Sequence, residues 1–290
     1  SGPEAGLDQF TSLWEDMGSP SYTHPRQPEP GHIVGLSWDS AIPKFGIDRG
    51  AGVWNDYGNP DRFRLAYGFG GVSRGIQSSW KSQELRDGLP VITTTFEEKG
   101  LRYEVEQFAY PLNGLPAGRR GDIPMVLMQR LRVGNREPGL QTVVVPIYHE
   151  RQFSLDEKPV IKKHTLDNAI LIQDDSTGRI LLTVEGSGIG RIECSLRPSD
   201  PLAKHKPGEN WQSFVIELTF PLLGKDNRKF FLKLPSPMTP PQDQETLLAL
   251  RHAEARLQTL RFWLDYEEQG ARFRVPEEAV NNLFRANLWH

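Results

Sequence analysis

The spacing of apolar and polar positions divides this chain into two unlike parts. Leu101, Tyr103 and Val105 alternate with Arg102, Glu104 and Glu106, the period of two that a half-buried strand requires. Residues 125–133, 142–147, 169–173, 179–185, 190–196, 213–220 and 228–234 read as further strands. The segment Asp174-Asp175-Ser176-Thr177-Gly178 joins two of them as a hairpin loop of about five residues. Short strands separated by turn signals, with no helical pattern before Asp243, predict a mainly β fold: a large antiparallel β-sandwich.

Beyond the Pro-rich stretch 235–241, a stiff exit and a natural domain border, the period changes. Leu247, Leu250, Ala253, Leu257, Leu260 and Leu264 recur in steps of three and four. They predict one long amphipathic helix, with Asp243 as its N-cap and Gly270 as its stop. Pro276, followed by Glu277 and Glu278, opens a second helix whose apolar positions are Val280, Leu283, Phe284 and Leu288. No capping residue follows them, so the expectation is a truncated chain or one piece of a two-piece protein. The organisation expected is an irregular arm over 1–30, a sandwich over 31–235, a linker with a long helix over 236–275, and the start of a helical domain over 276–290.

Composition narrows the function classes. Lys and Arg number 34 against 37 Asp and Glu, a net charge of −3, so no strong field points to nucleic acid. No apolar run reaches the roughly 18 residues of a membrane span, and the first thirty residues lack the apolar core of a signal peptide. Cys194 stands alone, which excludes an internal disulfide framework and a cysteine-rich metal site, and its apolar neighbour Ile192 suggests a buried, inert thiol.

The search for chemistry is mostly negative. Glu104 and Glu106 share a strand face roughly 7 Å apart, a spacing used by paired carboxylates in glycoside hydrolysis. Arg130 and Arg132 lie on the same phase of a neighbouring strand, however, and an exposed ladder of opposite charges accounts for all four. Asp174-Asp175 and Glu267-Glu268 read as solvated charges. The histidines show no metal-binding spacing, and His149 and Glu150, adjacent on a strand, face opposite sides. The run Gly68-Phe69-Gly70-Gly71-Val72-Ser73 lacks the pattern of a nucleotide loop, and no Gly-x-Ser-x-Gly elbow occurs. Hence no catalytic residue, metal site or cofactor is assigned. The best candidate site is the segment 52–62, where Trp54, Asn55, Asp56, Tyr57, Asp61 and Arg62 combine aromatic faces with short polar groups, a set suited to carbohydrate. The alternative is that the two rings plug the end of the sandwich while the polar groups form Asx turns.

The order of these features resembles the N-terminal β-supersandwich and linker of the six-hairpin glycosidase superfamily, which includes bacterial glucoamylases and the phosphorylases of maltose and cellobiose. Residues 100–109, Gly-Leu-Arg-Tyr-Glu-Val-Glu-Gln-Phe-Ala, resemble an early strand of that sandwich, and 126–135, ending Arg132-Val133-Gly134-Asn135, the following one. Phe262-Trp263, Arg274-Val275-Pro276-Glu277 and Asn281-Asn282-Leu283-Phe284-Arg285-Ala286 look like the linker helix and the opening of the first barrel helix. The resemblance implies a galactose-mutarotase-like supersandwich packed on an α/α barrel that carries the catalytic carboxylates, either as a continuation of the chain or as a second chain. It assigns no catalytic residue here, makes carbohydrate the partner, and places Trp263, Val280, Leu283, Phe284 and Leu288 at the domain interface. The expected role is the non-catalytic sandwich of a glycoside hydrolase. The alternatives are a free-standing carbohydrate-binding module and an autonomous mutarotase-like epimerase, which would need a His and a carboxylate converging in a cleft. The compartment stays open, with periplasmic or extracellular export favoured over the cytoplasm because the superfamily is often exported.

Overall fold

The computed structural model describes residues 33–39, 41, 43–55, 61–69, 79–118, 121–167, 169–187, 193–202, 205–269 and 274–289. Its strands form two antiparallel sheets, a mainly β, sandwich-like architecture. One sheet has seven strands, in the order β1 (Ile33–Leu36), β2 (Phe45–Asp48), β3 (Val53–Trp54), β4 (Phe63–Tyr67), β9 (Gln141–Phe153), β14 (Asn210–Leu222) and β13 (Glu193–Pro198). The other has eight, in the order β10 (Ile161–Thr165), β11 (Ile170–Asp174), β12 (Arg179–Ser187), β15 (Asn227–Ser236), β8 (Met125–Asn135), β7 (Leu101–Pro111), β6 (Leu89–Glu98) and β5 (Trp80–Arg86).

Alternation sets what each sheet buries. On β9, Val143, Val145 and Ile147 are buried while Val144 between them is exposed; on β8, Leu127, Leu131 and Val133 are buried. Each such side chain removed from water contributes roughly 1.5 to 3 kcal/mol. Some of the polar groups caught in the core pair with one another: Gln129 Oε1 accepts from the Tyr67 hydroxyl at 3.0 Å and from Gln107 Nε2 at 2.9 Å, and Gln107 also donates to the Ala51 carbonyl. Phe69 stacks on Tyr67 and Tyr103, so the start of the Gly-rich run is packing rather than a nucleotide loop; residues 70–73 lie outside the described set.

The expected single helix is two. A 3₁₀ turn (Pro241–Asp243) leads into α1 (Gln244–Ala249), and α2 (His252–Glu268) follows only after Leu250 and Arg251, both extended at ψ 124° and 123°. Asp243 sits at the N-cap of α1 without making a side-chain capping bond. The break rotates the helix, so the buried face of α2 is His252, Ala255, Thr259 and Trp263, whereas Leu257 and Leu264 of the expected stripe point to solvent. Gly270 lies outside the described residues.

The outer face of the eight-stranded sheet receives α2. Arg130 meets Glu106 directly across β7 and β8 at 3.3 Å, and Arg132 meets Glu104 at 3.0 Å, so the charge ladder forms. It is only half exposed: Glu106 is buried, because Arg256 of α2 donates to it at 2.9 Å. Beside it, Trp38 packs on Phe262 at 4.5 Å, Tyr110 donates to Gln258, and buried Lys233 pairs with Glu185 and caps the Leu248 carbonyl of α1. The last helix, α3 (Glu278–Trp289), starts two residues after Pro276, and Asn281 clasps both the N–H and the carbonyl of Val275. It reaches the β5–β6 turn, where Gly88 at φ +75° approaches Asn282 so closely that a Cβ would lie 2.9 Å from its carbonyl oxygen.

Candidate functional site

Segment 52–62 is not one loop, since Val53 and Trp54 form β3. The turn before it is organised by Asp48, whose Oδ1 accepts the N–H groups of Gly50 and Gly52 at 2.8 and 2.7 Å and whose Oδ2 accepts the Trp54 indole N–H at 2.8 Å. Burial pushes the Asp48 carboxyl up, and these three donors hold it back. A Cβ at Gly52 would lie 2.4 Å from the carboxylate, so this cradle requires glycine. Trp54 is thereby fixed, and the Arg64 guanidinium lies 4.8 Å from its ring centroid and 5.2 Å from that of Trp211. The indole is committed to Asp48 and Arg64 rather than presented as a bare platform.

Asn55 and Asp61 turn inward. Asn55 is buried and donates to Ser236 Oγ at 2.9 Å and to the Asp61 carbonyl at 3.3 Å. Asp61 Oδ2 accepts from the fully buried Arg151 at 3.1 Å and from the Met238 N–H at 2.7 Å. These bonds fasten the segment to the Pro-rich exit after β15. Arg62, by contrast, is exposed and lines a cleft at this end of the sandwich, together with Asp61, Gln152, Glu157, Arg179 and Glu209. Asp56 and Tyr57 lie outside the described residues.

A second cluster occupies the outer face of the seven-stranded sheet, and alternation alone does not reveal it. Glu150, fully buried, accepts from Arg64 Nη1 at 3.1 Å, the Leu202 N–H at 2.7 Å and Ser213 Oγ at 3.4 Å, and lies 3.0 Å from His205 Nε2. The His205 ring stacks on Trp211 at 4.2 Å. A histidine and a carboxylate thus meet, but Glu150 has no exposed surface for a substrate and works as the post on which the β13–β14 connection rests. His149, its chain neighbour, faces the core between Phe63 and Phe214, where burial and Arg151 hold its pKa well below the ordinary value. The polar residue in the 199–209 connection that Glu150 binds carries no periodic signal, which is why the cluster is invisible in sequence.

Of the expected interface residues, Trp263 is buried against Trp38 and Phe262, while Val280 and Leu283 are 41% and 63% exposed. Phe284 is half-buried and Leu288 belongs to α3. Elsewhere, Asp174 is not a solvated charge: it is buried and orders its turn by accepting from Val160 N, Ser176 N, Ser176 Oγ and Thr177 Oγ1, while Asp175 pairs with Lys162 at 2.6 Å. Glu267 pairs with Arg285 at 3.3 Å, joining α2 to α3. Cys194 is half-buried on an edge strand, where desolvation pushes its thiol up. Among the described residues no group of three metal-ligating side chains converges, and no helix is long and apolar enough to cross a membrane.

No known protein family and no curated protein matches the chain. Among solved structures it is similar to a chain described as a putative kojibiose phosphorylase from human microbiome, with 8% identity and a TM-score of 0.33. That match covers 76% of this chain, and this chain spans 28% of the other's length.

Proposed function

We propose that this chain is the non-catalytic β-sandwich portion of a carbohydrate-active enzyme, a glycoside hydrolase whose catalytic carboxylates lie on an α/α barrel packed against α2 and α3. The observation that carries this reading is the outward side of the two helices. On α2, Leu257 and Leu264 are 49% and 43% exposed, and α3 adds Val280 and Leu283, although the opposite side of α2 is firmly seated on the sheet. A helix that seats His252, Ala255, Thr259 and Trp263 on the sheet and still shows Leu257 and Leu264 to solvent is arranged for a second neighbour. The carboxylates of the sheet support the same reading, because Glu104 and Glu106 are both committed to arginines. In this reading residues 31–235 are the sandwich, 236–275 the linker, and 276–290 the first helix of the barrel, with segment 54–62 on the carbohydrate side.

Intact mass and size-exclusion chromatography of the native protein test it, followed by assays of glycoside hydrolysis and phosphorolysis on that species. A longer chain or a co-eluting helical subunit, with activity, is the expected result, and Leu257→Asp with Leu283→Asp then weakens the association. A stable monomer of 290 residues with neither partner nor activity would overturn it.

A further inference from the structure

The end cleft has an architecture that stability does not explain. It is open to solvent and has a volume of about 760 Å³, a size common to small-molecule sites. Gln152 enters it from the seven-stranded sheet, Arg62 from just before β4 and Glu209 from just before β14; Arg179 enters from the eight-stranded sheet, and Glu157 from the β9–β10 connection. Each carboxylate is anchored by one oxygen only. Glu157 Oε2 accepts the Ser154 N–H at 2.8 Å, and Glu209 Oε2 accepts the Lys206 N–H at 3.2 Å and the Trp211 indole at 3.1 Å. The other oxygen of each looks toward an arginine at a distance beyond a good hydrogen bond: Glu157 Oε1 to Arg179 at 3.5 Å, and Glu209 Oε1 to Arg62 at 3.7 Å. Asn210 binds the two supports together, donating to the carbonyls of Ser154 at 2.9 Å and of Glu157 at 3.0 Å.

We infer that this cleft is a non-catalytic binding site for a neutral oligosaccharide of about two or three units, read by the Arg62–Glu209 and Arg179–Glu157 pairs. Arg62 and Arg179 face Glu209 and Glu157, and the third lining carboxylate, Asp61, is paired with the buried Arg151 behind the wall, so the cleft carries no excess charge to select an ionic ligand. What it offers is a fixed alternation of strong donors and acceptors, the demand made by vicinal hydroxyls, each of which donates and accepts at once. Phe153, Pro237, Met238 and Pro240 supply apolar wall for the C–H faces of the rings. The carboxylates are already held by backbone donors, so binding need not immobilise them, and loss of ordering entropy is correspondingly small. This inference rests on the carbohydrate reading above but not on the barrel.

Calorimetric titration of the full chain with maltotriose, cellotriose and a sulfated trisaccharide tests it. The expected result is saturable binding of at least one neutral trisaccharide, weakened tenfold or more by Arg179→Met and by Glu157→Gln, and unchanged by Glu104→Gln outside the cleft. Both cleft residues are partly exposed, and an unchanged melting temperature verifies that the variants fold. Absence of binding while the complete protein still acts on glycosides removes this inference and leaves the enzyme reading intact. Binding that survives both cleft substitutions, or tighter binding of the sulfated sugar, also overturns it. Neutral binding that the substitutions abolish, in a protein shown to have no helical partner, upholds the cleft and removes the barrel reading.

Discussion

The outer faces of the two sheets solve one problem in different ways. Each carries a glutamate that a covering segment takes out of water. On the eight-stranded sheet Glu106 is held by charges alone, Arg130 from the neighbouring strand and Arg256 from α2, with His252 at 3.7 Å, too far for a hydrogen bond. On the seven-stranded sheet Glu150 has one arginine, one backbone N–H, one hydroxyl and one imidazole, most of them from neighbouring strands and the connection above it. Guanidinium partners on a helix leave that helix able to swing away with its charge into water. A backbone donor has no such escape, so the connection over Glu150 is tied at the main chain. The difference is one of tethering: α2 is held to its sheet through side-chain charges, and the connection over Glu150 through its main chain.

Removing the two glutamates sharpens the contrast. Glu150→Ala leaves Arg64 and the Leu202 N–H without their acceptor, and we expect a loss of about 3 to 5 kcal/mol in urea unfolding. Glu106→Ala should cost less, about 2 to 3 kcal/mol, because Arg130 and Arg256 are each partly exposed and can rehydrate. It should also release α2, read as faster tryptic cleavage at Arg251 in the extended break; equal cleavage in both variants would break the comparison.

Acid should act on the helix side through His252. Burial, with Arg130 and Arg256 adding to it, lowers its pKa from 6.5 to about 3. Between those values the unfolded chain binds a proton that the folded chain does not, so this contribution is full above pH 6.5 and is lost as pH falls toward 3. The slope is at most about 1.4 kcal/mol per pH unit. His149 has the same sign by the same physics. His252→Leu, packed between Phe108 and Phe231, should therefore reduce the acid sensitivity without abolishing it, and an unchanged pH profile would show that α2 detaches before His252 titrates. The smallest effect belongs to the uncovered half of the ladder. Partial burial raises the Glu104 carboxyl, but Arg102 and Arg132 flank it and together hold it below the usual range; both arginines are well solvated, so Glu104→Ala should cost no more than about 1 kcal/mol.

Much of the fold was legible in the residues. Leu101 to Glu106 and Ser213 to Phe220 announce β7 and β14 by their period of two, whereas the start of β8, Met125 to Gln129, is buried on both faces and alternation marks only its second half. The phase of Arg130 and Arg132 also announces their cross-strand partners. Other strands give no such signal: β3 is two residues long and pinned by Asp48, and β5 has no fully buried position to mark its phase. Of the candidate segment, the mix of aromatic and short polar residues is visible in sequence, but not that Asn55 and Asp61 turn inward while Arg62 turns outward.

What the sequence by itself determined is local: most of the strands from Leu101 onward and the helical character of the stretch after Asp243, since those depend on periodicity along the chain. Only the tertiary structure decided that α2 seats His252, Ala255, Thr259 and Trp263 rather than the full leucine stripe, because two extended residues at Leu250 and Arg251 rotate it and a buried glutamate on the sheet attracts Arg256. It alone brought Arg62, Glu157, Arg179 and Glu209 to one cleft, since residues drawn from both sheets and their connections meet there through closure of the sandwich and not through any spacing along the chain.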